Sequence, residues 1–239
     1  MHLSVIPTPF FGANCLVLVP EDGGAALVVD PSAGVLDAIR STLDAHGVRV
    51  GAVLCTHGHP DHVWDAAEVA SWAVDADEAP VWVPGPDLPR MDDPLSWVPM
   101  RPEGLDLVWR RPGDLRAVPA GTFEVVPGVV LLMVPAPGHT EGSAVFLGEG
   151  ALEVASGGDV LVARSGSSPW ALTGDVLFAG SVGRTDLPGG DEVQMRHTLR
   201  TLANAVDPET LLLPGHGPWT TMRRELATNP YVARARQVG

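Results

Sequence analysis

Apolar residues in the first seventy positions fall in short continuous runs separated by segments in which they recur at helical spacing. The runs "CLVLV" (15–19) and "ALVVD" (26–30) are rich in β-formers, and Asp22-Gly23-Gly24 between them supplies a turn, which predicts an antiparallel hairpin. Val35, Leu36, Ile39 and Leu43 then recur at helical spacing behind Ser32, a candidate N-cap, and His46-Gly47 has the residue types that close a helix. "VGAVLCT" (50–56) predicts a buried strand, and "DHVWDAAEVASWA" (61–73) a helix directly after it. From 80 to 119 prolines and tryptophans erase the period, predicting a long irregular excursion of the kind that often walls a site. Strands return with "TFEVV" (122–126), "VVLLMVPAP" (129–137) and "GHTEGSAVFL" (138–147), the last opening in a glycine-flanked turn. A polar loop, "SGGDVLVARSGSSP", leads to "WALTGDVLF" (170–178). "GGDEVQMRHTLRTLANAV" is an amphipathic helix, "TLLLPGHGP" a strand ending at His216, and "TTMRRELATNP" a short last helix.

With 239 residues, 45% of them hydrophobic, the chain can bury a sizeable core, and a single domain over 1–239 is expected. The longest apolar stretch (125–137) is broken by Pro127, Gly128 and Pro135 and falls short of the roughly 20 residues a bilayer needs. The start, "MHLSVIPTPFFG", has no basic cluster and is interrupted by Pro7 and Pro9, unlike a secretory signal, so a cytoplasmic protein is expected. A net charge of −14 repels phosphate backbones and disfavours nucleic acid as a partner. Cys15 and Cys55 sit in apolar runs and read as buried strand residues, with no C-x-x-C pattern.

"CTHGHPDH" changes this picture, because it crowds His57, His59, Asp61 and His62 into the exit of a strand. Residues two apart in extended chain point the same way, so His57 and His59 can share a target, and Asp61 and His62 can face it after Pro60 turns the backbone into a helix. Three more β-runs end in a glycine-flanked turn offering one ligand each: "PAPGHTEGS" with His139, "WALTGDVLF" with Asp175 and "LLLPGHGPW" with His216. One such turn alone is an ordinary loop. Seven imidazoles and carboxylates from four strand ends form the donor set that zinc-like cations prefer.

"THGHPDH" is similar to the H-x-H-x-D-H signature of the metallo-β-lactamase fold superfamily. "PGHTEGS", "LTGDVLFAGSVGRTDLPGGD" and "LLPGHGPWTTMRRELATNPYV" resemble its glyoxalase II-like (hydroxyacylglutathione hydrolase-like) branch. The resemblance runs from "NCLVL" to "NPYV" and implies a four-layer αββα sandwich, two mixed sheets flanked by helices, with a dinuclear site at the sheet edge. It implies that His57, His59 and His139 bind one divalent ion, that Asp61, His62 and His216 bind a second, and that Asp175 bridges them. Asp159 lies in an earlier "GDVL", but "FAGSVGRTD" after Asp175 continues the family pattern and "VARSGSS" after Asp159 does not, so 148–168 reads as an inserted hairpin. The implied ions are two zincs, with iron or manganese as alternatives.

The implied reaction is hydrolysis of a small 2-hydroxyacyl thioester by a bridging hydroxide that Asp61 helps to orient, since two cations can lower the pKa of water from 15.7 toward about 7. A thiolate leaves without prior protonation, so no dedicated acid is needed. Arg184, and further off Arg223 and Arg224, are candidates to meet a substrate carboxylate. Full-length glyoxalase II enzymes carry a further helical region for glutathione; here the chain stops soon after "NPYV", which leaves the thiol carrier open. Two other activities on the same fold compete: a persulfide dioxygenase, with one iron on His57, His139 and Asp175, and a lactonase. A metabolite-binding scaffold would have lost ligands, and the motif is complete. A nuclease conflicts with the acidic charge, and a secreted β-lactamase with the missing export signal.

Overall fold

The fold comes from a computed structural model and is described over residues 1–73, 77–99 and 108–237. It opens with β1 (His2–Pro7), β2 (Asn14–Val19) and β3 (Ala25–Val29), then α1 (Leu36–His46), β4 (Arg49–Leu54) and the short helices α2 (Pro60–Val63) and α3 (Ala66–Ala70). β5 (Val81–Val83) and β6 (Leu115–Ala117) flank two 3-10 turns at Gly85–Met91 and Pro94–Trp97. Next come β7 (Gly121–Val126), β8 (Val129–Pro135), β9 (Ala144–Glu149), β10 (Leu152–Ser156), β11 (Asp159–Arg164), β12 (Pro169–Gly174), and the short pair β13 (Leu177–Phe178) and β14 (Ser181–Val182). The described chain ends with α4 (Glu192–Ala205), β15 (Leu211–Pro214), β16 (Thr220–Thr221), α5 (Met222–Thr228) and α6 (Pro230–Gln237).

Among the described residues the strands make two large sheets, ordered β11-β10-β1-β2-β3-β4-β5-β6 and β16-β15-β12-β9-β8-β7. Both are mixed: β3 pairs in parallel with β4 and β12 with β15, whereas β1–β2 and β8–β9 are antiparallel. β2 is buried along its whole length because each of its faces has a partner. Leu16 and Leu18 enter the layer between the sheets with Leu27, Leu131, Phe146 and Leu172, while Cys15, Val17 and Val19 turn to the other side with Ile39 and Leu43 of α1. Beyond the second sheet, Val145, Ala171 and Leu212 pack with Met195, Leu199 and Leu202 of α4 and Val232 of α6. Helix, sheet, sheet and helix stack as the expected αββα sandwich. Truncating a fully buried side chain of the middle layer such as Phe146 to alanine costs about 3–5 kcal/mol. No helix among the described residues is long and apolar enough to cross a membrane.

Several local expectations need correction. Ser32 does not cap α1; the helix starts four residues later behind Val35 with no side-chain cap, and the Ser32 hydroxyl is buried without a partner. The end is as expected, with Gly47 in the left-handed region at φ 63°. The helix expected over 61–73 is two pieces, because the Asp65 N–H is committed to the Pro31 carbonyl at 2.9 Å across the loop after β3. The 80–119 excursion is partly ordered sheet, as β5 pairs in parallel with β4 and β6 with β5; its residues 100–107 lie outside the described ones. The polar stretch 156–169 is in fact the turn and second strand of the β10–β11 hairpin, which falls within the 148–168 read as a hairpin and joins the first sheet through parallel pairing of β10 with β1. β1 and α6 had no counterpart in the sequence reading.

Candidate metal centre

Four strand ends deliver the site. β4 leads into His57 and His59 and then α2, with Pro60 at the first helical position and Asp61 and His62 behind it. β8, β12 and β15 lead respectively to His139, Asp175 and His216. All seven residues expected from the sequence meet. His57 Nε2, His59 Nδ1 and His139 Nε2 lie 2.8–3.2 Å from one another. Beside them His62 Nε2 is 3.3 Å from His216 Nε2 and 3.7 Å from Asp61 Oδ2, which is 3.4 Å from His216. Asp175 stands between the groups: its Oδ2 is 3.4 Å from both His139 Nε2 and His216 Nε2, and its Oδ1 is 3.4 Å from His62 Nε2. Gly215 permits this approach, since a β-carbon there would run into the Asp175 carboxylate.

Surrounding groups decide which ring nitrogen faces inward. His62 Nδ1–H donates to Asp30 Oδ2 at 2.9 Å and His139 Nδ1–H to the Arg184 carbonyl at 2.7 Å, so each turns Nε2 to the centre. Asp30 also accepts the Thr56 N–H and hydroxyl, both at 2.7 Å, and these bonds hold it at a φ of 50°, rare for a residue with a side chain. With its proton given to Asp30, the Thr56 hydroxyl can accept from His57 Nδ1–H at 3.1 Å. Asp30 and Thr56 were missed by the sequence reading; the one signal is a polar residue directly after the apolar run of β3.

Charge divides the site in two. Burial, reinforced by neighbouring imidazoles, pushes His57 down and holds His59 at about 3, so these two imidazoles are neutral. Burial also lowers His62 and His216, but carboxylates outweigh it: Asp175, Asp61 and Asp30 lift His62 to about 9, and Asp175 and Asp61 lift His216 to about 10. Burial alone would raise Asp175 and Asp61; His62 and His216 reverse the sign, and both carboxyls lie below their usual range. Asp175 Oδ1 is buried with no hydrogen-bond donor. Three ring nitrogens converging within 3.2 Å of one another, and a buried carboxylate oxygen without a donor, are the atoms a cation would satisfy, and imidazole with carboxylate is the right donor chemistry.

A cleft of about 280 Å³ opens over this floor. Its apolar wall comes from Phe10 and Phe11, Leu95, Val98, Phe178 and Leu187, so the irregular excursion does line the site. Arg184 reaches the cleft, but its Nε and Nη2 are held by Asp186 at 2.6 and 2.7 Å. Arg223 is exposed and paired with Glu209, and neither it nor Arg224 lines the cleft. Asp159 is exposed on the β10–β11 hairpin. Cys15 and Cys55 are buried free thiols whose pKa burial raises well above the usual value, which makes them inert.

Comparison with known proteins gives the same assignment. A family profile described as the metallo-beta-lactamase superfamily matches residues 8–164. An uncharacterized protein of Mycobacterium tuberculosis is 31% identical over 97% of this chain and 98% of its own. The hydroxyacylglutathione hydrolase GloC of Haemophilus influenzae is 26% identical over 97% of this chain and 98% of its own. Among solved structures, TTHA1623 in a di-iron-bound form superposes with a TM-score of 0.71 at 26% identity, over 95% of this chain and 98% of that one. Profile, full-length relatives and fold agree, and the chain belongs to the metallo-beta-lactamase superfamily.

Proposed function

We propose that this chain is a metal-dependent hydrolase of small thioesters, working with two divalent ions, zinc by preference. His57, His59 and His139 would hold one ion, Asp61, His62 and His216 the other, and Asp175 would reach both. The observation that carries this reading is Asp175 Oδ2 standing 3.4 Å from a histidine of each group. A second complete ligand group is what a one-iron dioxygenase does not need. When bound, such ions polarise a carbonyl oxygen and acidify water toward neutral pH.

The chain's own residues do the rest. Asp61, at the cleft floor with its side chain 18% exposed, can accept a hydrogen bond from the attacking water and orient it. Phe10, Phe11, Phe178 and Leu187 take the apolar part of the acyl or thiol group and keep bulk water off the floor. The Arg184 carbonyl keeps His139 in the tautomer that points inward. Water adds to the thioester carbonyl, the C–S bond breaks, and the products are a carboxylic acid and a thiol that leaves as thiolate. The supporting resemblance is to GloC over nearly the full length.

The test counts metals per chain by elemental analysis and, on the same sample, follows thiol release from a 2-hydroxyacyl thioester and oxygen uptake with a persulfide. Two zincs with thiol release are expected. One iron with oxygen consumption overturns the reading in favour of a dioxygenase, and ring opening of a lactone without thiol release favours a lactonase.

A further inference from the structure

We infer that Asp87 and Arg90 are the positioning residues that set the spacing of the three-histidine group, and that they act on that group alone. The inference rests on the proposal that His57, His59 and His139 hold an ion.

Asp87 and Arg90 lie on the 3-10 turn Gly85–Met91, are wholly buried or nearly so, and belong to neither ligand group. Asp87 Oδ2 accepts the N–H of Gly58, between His57 and His59, at 2.8 Å. The same oxygen accepts the hydroxyl of Thr140, next to His139, at 2.7 Å. Oδ1 accepts the Gly142 N–H at 2.7 Å and Arg90 Nε–H at 3.2 Å. One carboxylate therefore ties together the two loops that bring all three histidines, although they are some eighty residues apart in the chain. Its two oxygens are used by four donors, which leaves it no part to play as a ligand. Arg90 carries the tie further. Its Nη2 donates to Glu141 Oε2 at 2.5 Å and to the Pro188 carbonyl at 2.8 Å, in the segment whose Arg184 carbonyl holds His139. Trp97 covers the guanidinium, 4.4 Å from ring centroid to Cζ. There is no slack: a β-carbon on Gly142 would lie 2.6 Å from Asp87 Cγ.

A buried ion pair is a poor source of stability, since well-packed apolar side chains often serve as well, and its better-attested use is to fix a register. Here the register is that of two loops, and the selectivity is visible. The hydrogen bonds of Asp87 and Arg90 go to the loops of His57, His59 and His139, whereas His62 is held by Asp30.

The experiment is a titration of chelator-stripped protein with Co²⁺, read by visible absorption and calorimetry. His139→Ala and His216→Ala identify which binding step belongs to which group. Asp87→Asn, whose amide cannot accept from all four donors, is expected to weaken the step that His139→Ala abolishes by about 10–100-fold, the usual effect of removing a partner behind a metal ligand. The step that His216→Ala abolishes should stay within about twofold. Gly142→Ala, which keeps the carboxylate but pushes on it, should shift the same step in the same direction, and it serves if Asp87→Asn fails to fold. Equal loss at both steps, or no loss at either, in the folded variant overturns the clamp while leaving the two-ion reading intact. A wild type that binds fewer than two ions overturns that reading and the clamp with it.

Discussion

Asp175 and Asp159 stand in the same four-letter string, yet one is buried between two histidine groups and the other is exposed on a hairpin. Asp175→Ala is expected to cut kcat/KM on a thioester by at least about 100-fold and to lower metal content at both positions, with Asp159→Ala within about twofold; the reverse pattern would move the bridge to the hairpin. Arg184 gives a second prediction at this scale. Its guanidinium lines the cleft but is neutralised by Asp186, so wild-type protein presents little positive charge to a substrate carboxylate from that residue. Removing Asp186 by alanine should raise kcat/KM for a glutathione thioester over an uncharged thioester of the same acyl group by about twofold to fivefold, the size of an exposed ion pair, and the gain should fade in high salt. All seven candidate ligands were legible: six are a His or Asp set beside glycine or proline after an apolar run, and His62 follows Asp61 in the same cluster. Asp30 and Asp87 were not, because a carboxylate that orients a ligand needs only a through-space partner and leaves no spacing in the chain.

At the scale of elements, periodic segments were legible and their interruptions were not. α1 and α4 follow the 3.6 period and strands such as β2 and β15 are continuous apolar runs, whereas the break between α2 and α3 depends on a bond from Asp65 to Pro31, which no local pattern announces. That break leaves Asp65 with one oxygen buried and without a partner, and burial pushes its pKa up to about 6. Relative to an unfolded value near 3.8, the folded state holds this proton more tightly, so stability falls as pH rises from about 4 to 6 and stays at the lower level above. Asp65→Asn should therefore raise the Tm at pH 7 by about 2–4 °C, allowing for the part of the residue that is exposed, and change it little at pH 4. Calorimetry at the two pH values checks this, and an equal shift at both would place the effect in packing instead of charge.

For the molecule as a whole, the centre is a seam. His57, His59, Asp61 and His62 follow a strand of the first sheet, and His139, Asp175 and His216 follow strands of the second, so each ligand group draws on both. Ions bound there would join the two halves of the sandwich. Two sites filled at 100 times their dissociation constant would add about 5 kcal/mol to the stability of the folded state, and chelation should lower the Tm by about 10–20 °C. The pH dependence of the stripped protein supplies a separate check. Its carboxylates favour protonated His62 and His216, with folded values of about 9 and 10 against 6.5 when unfolded. This stabilisation is complete below pH 6.5 and disappears as pH climbs through 9 to 10. Stripped protein should thus lose Tm steeply over that alkaline window, whereas loaded protein, in which ions replace the two protons, should hold its Tm there. If both forms decline together between pH 8 and 10, the two histidines do not hold the second ion, and the seam is closed by packing alone.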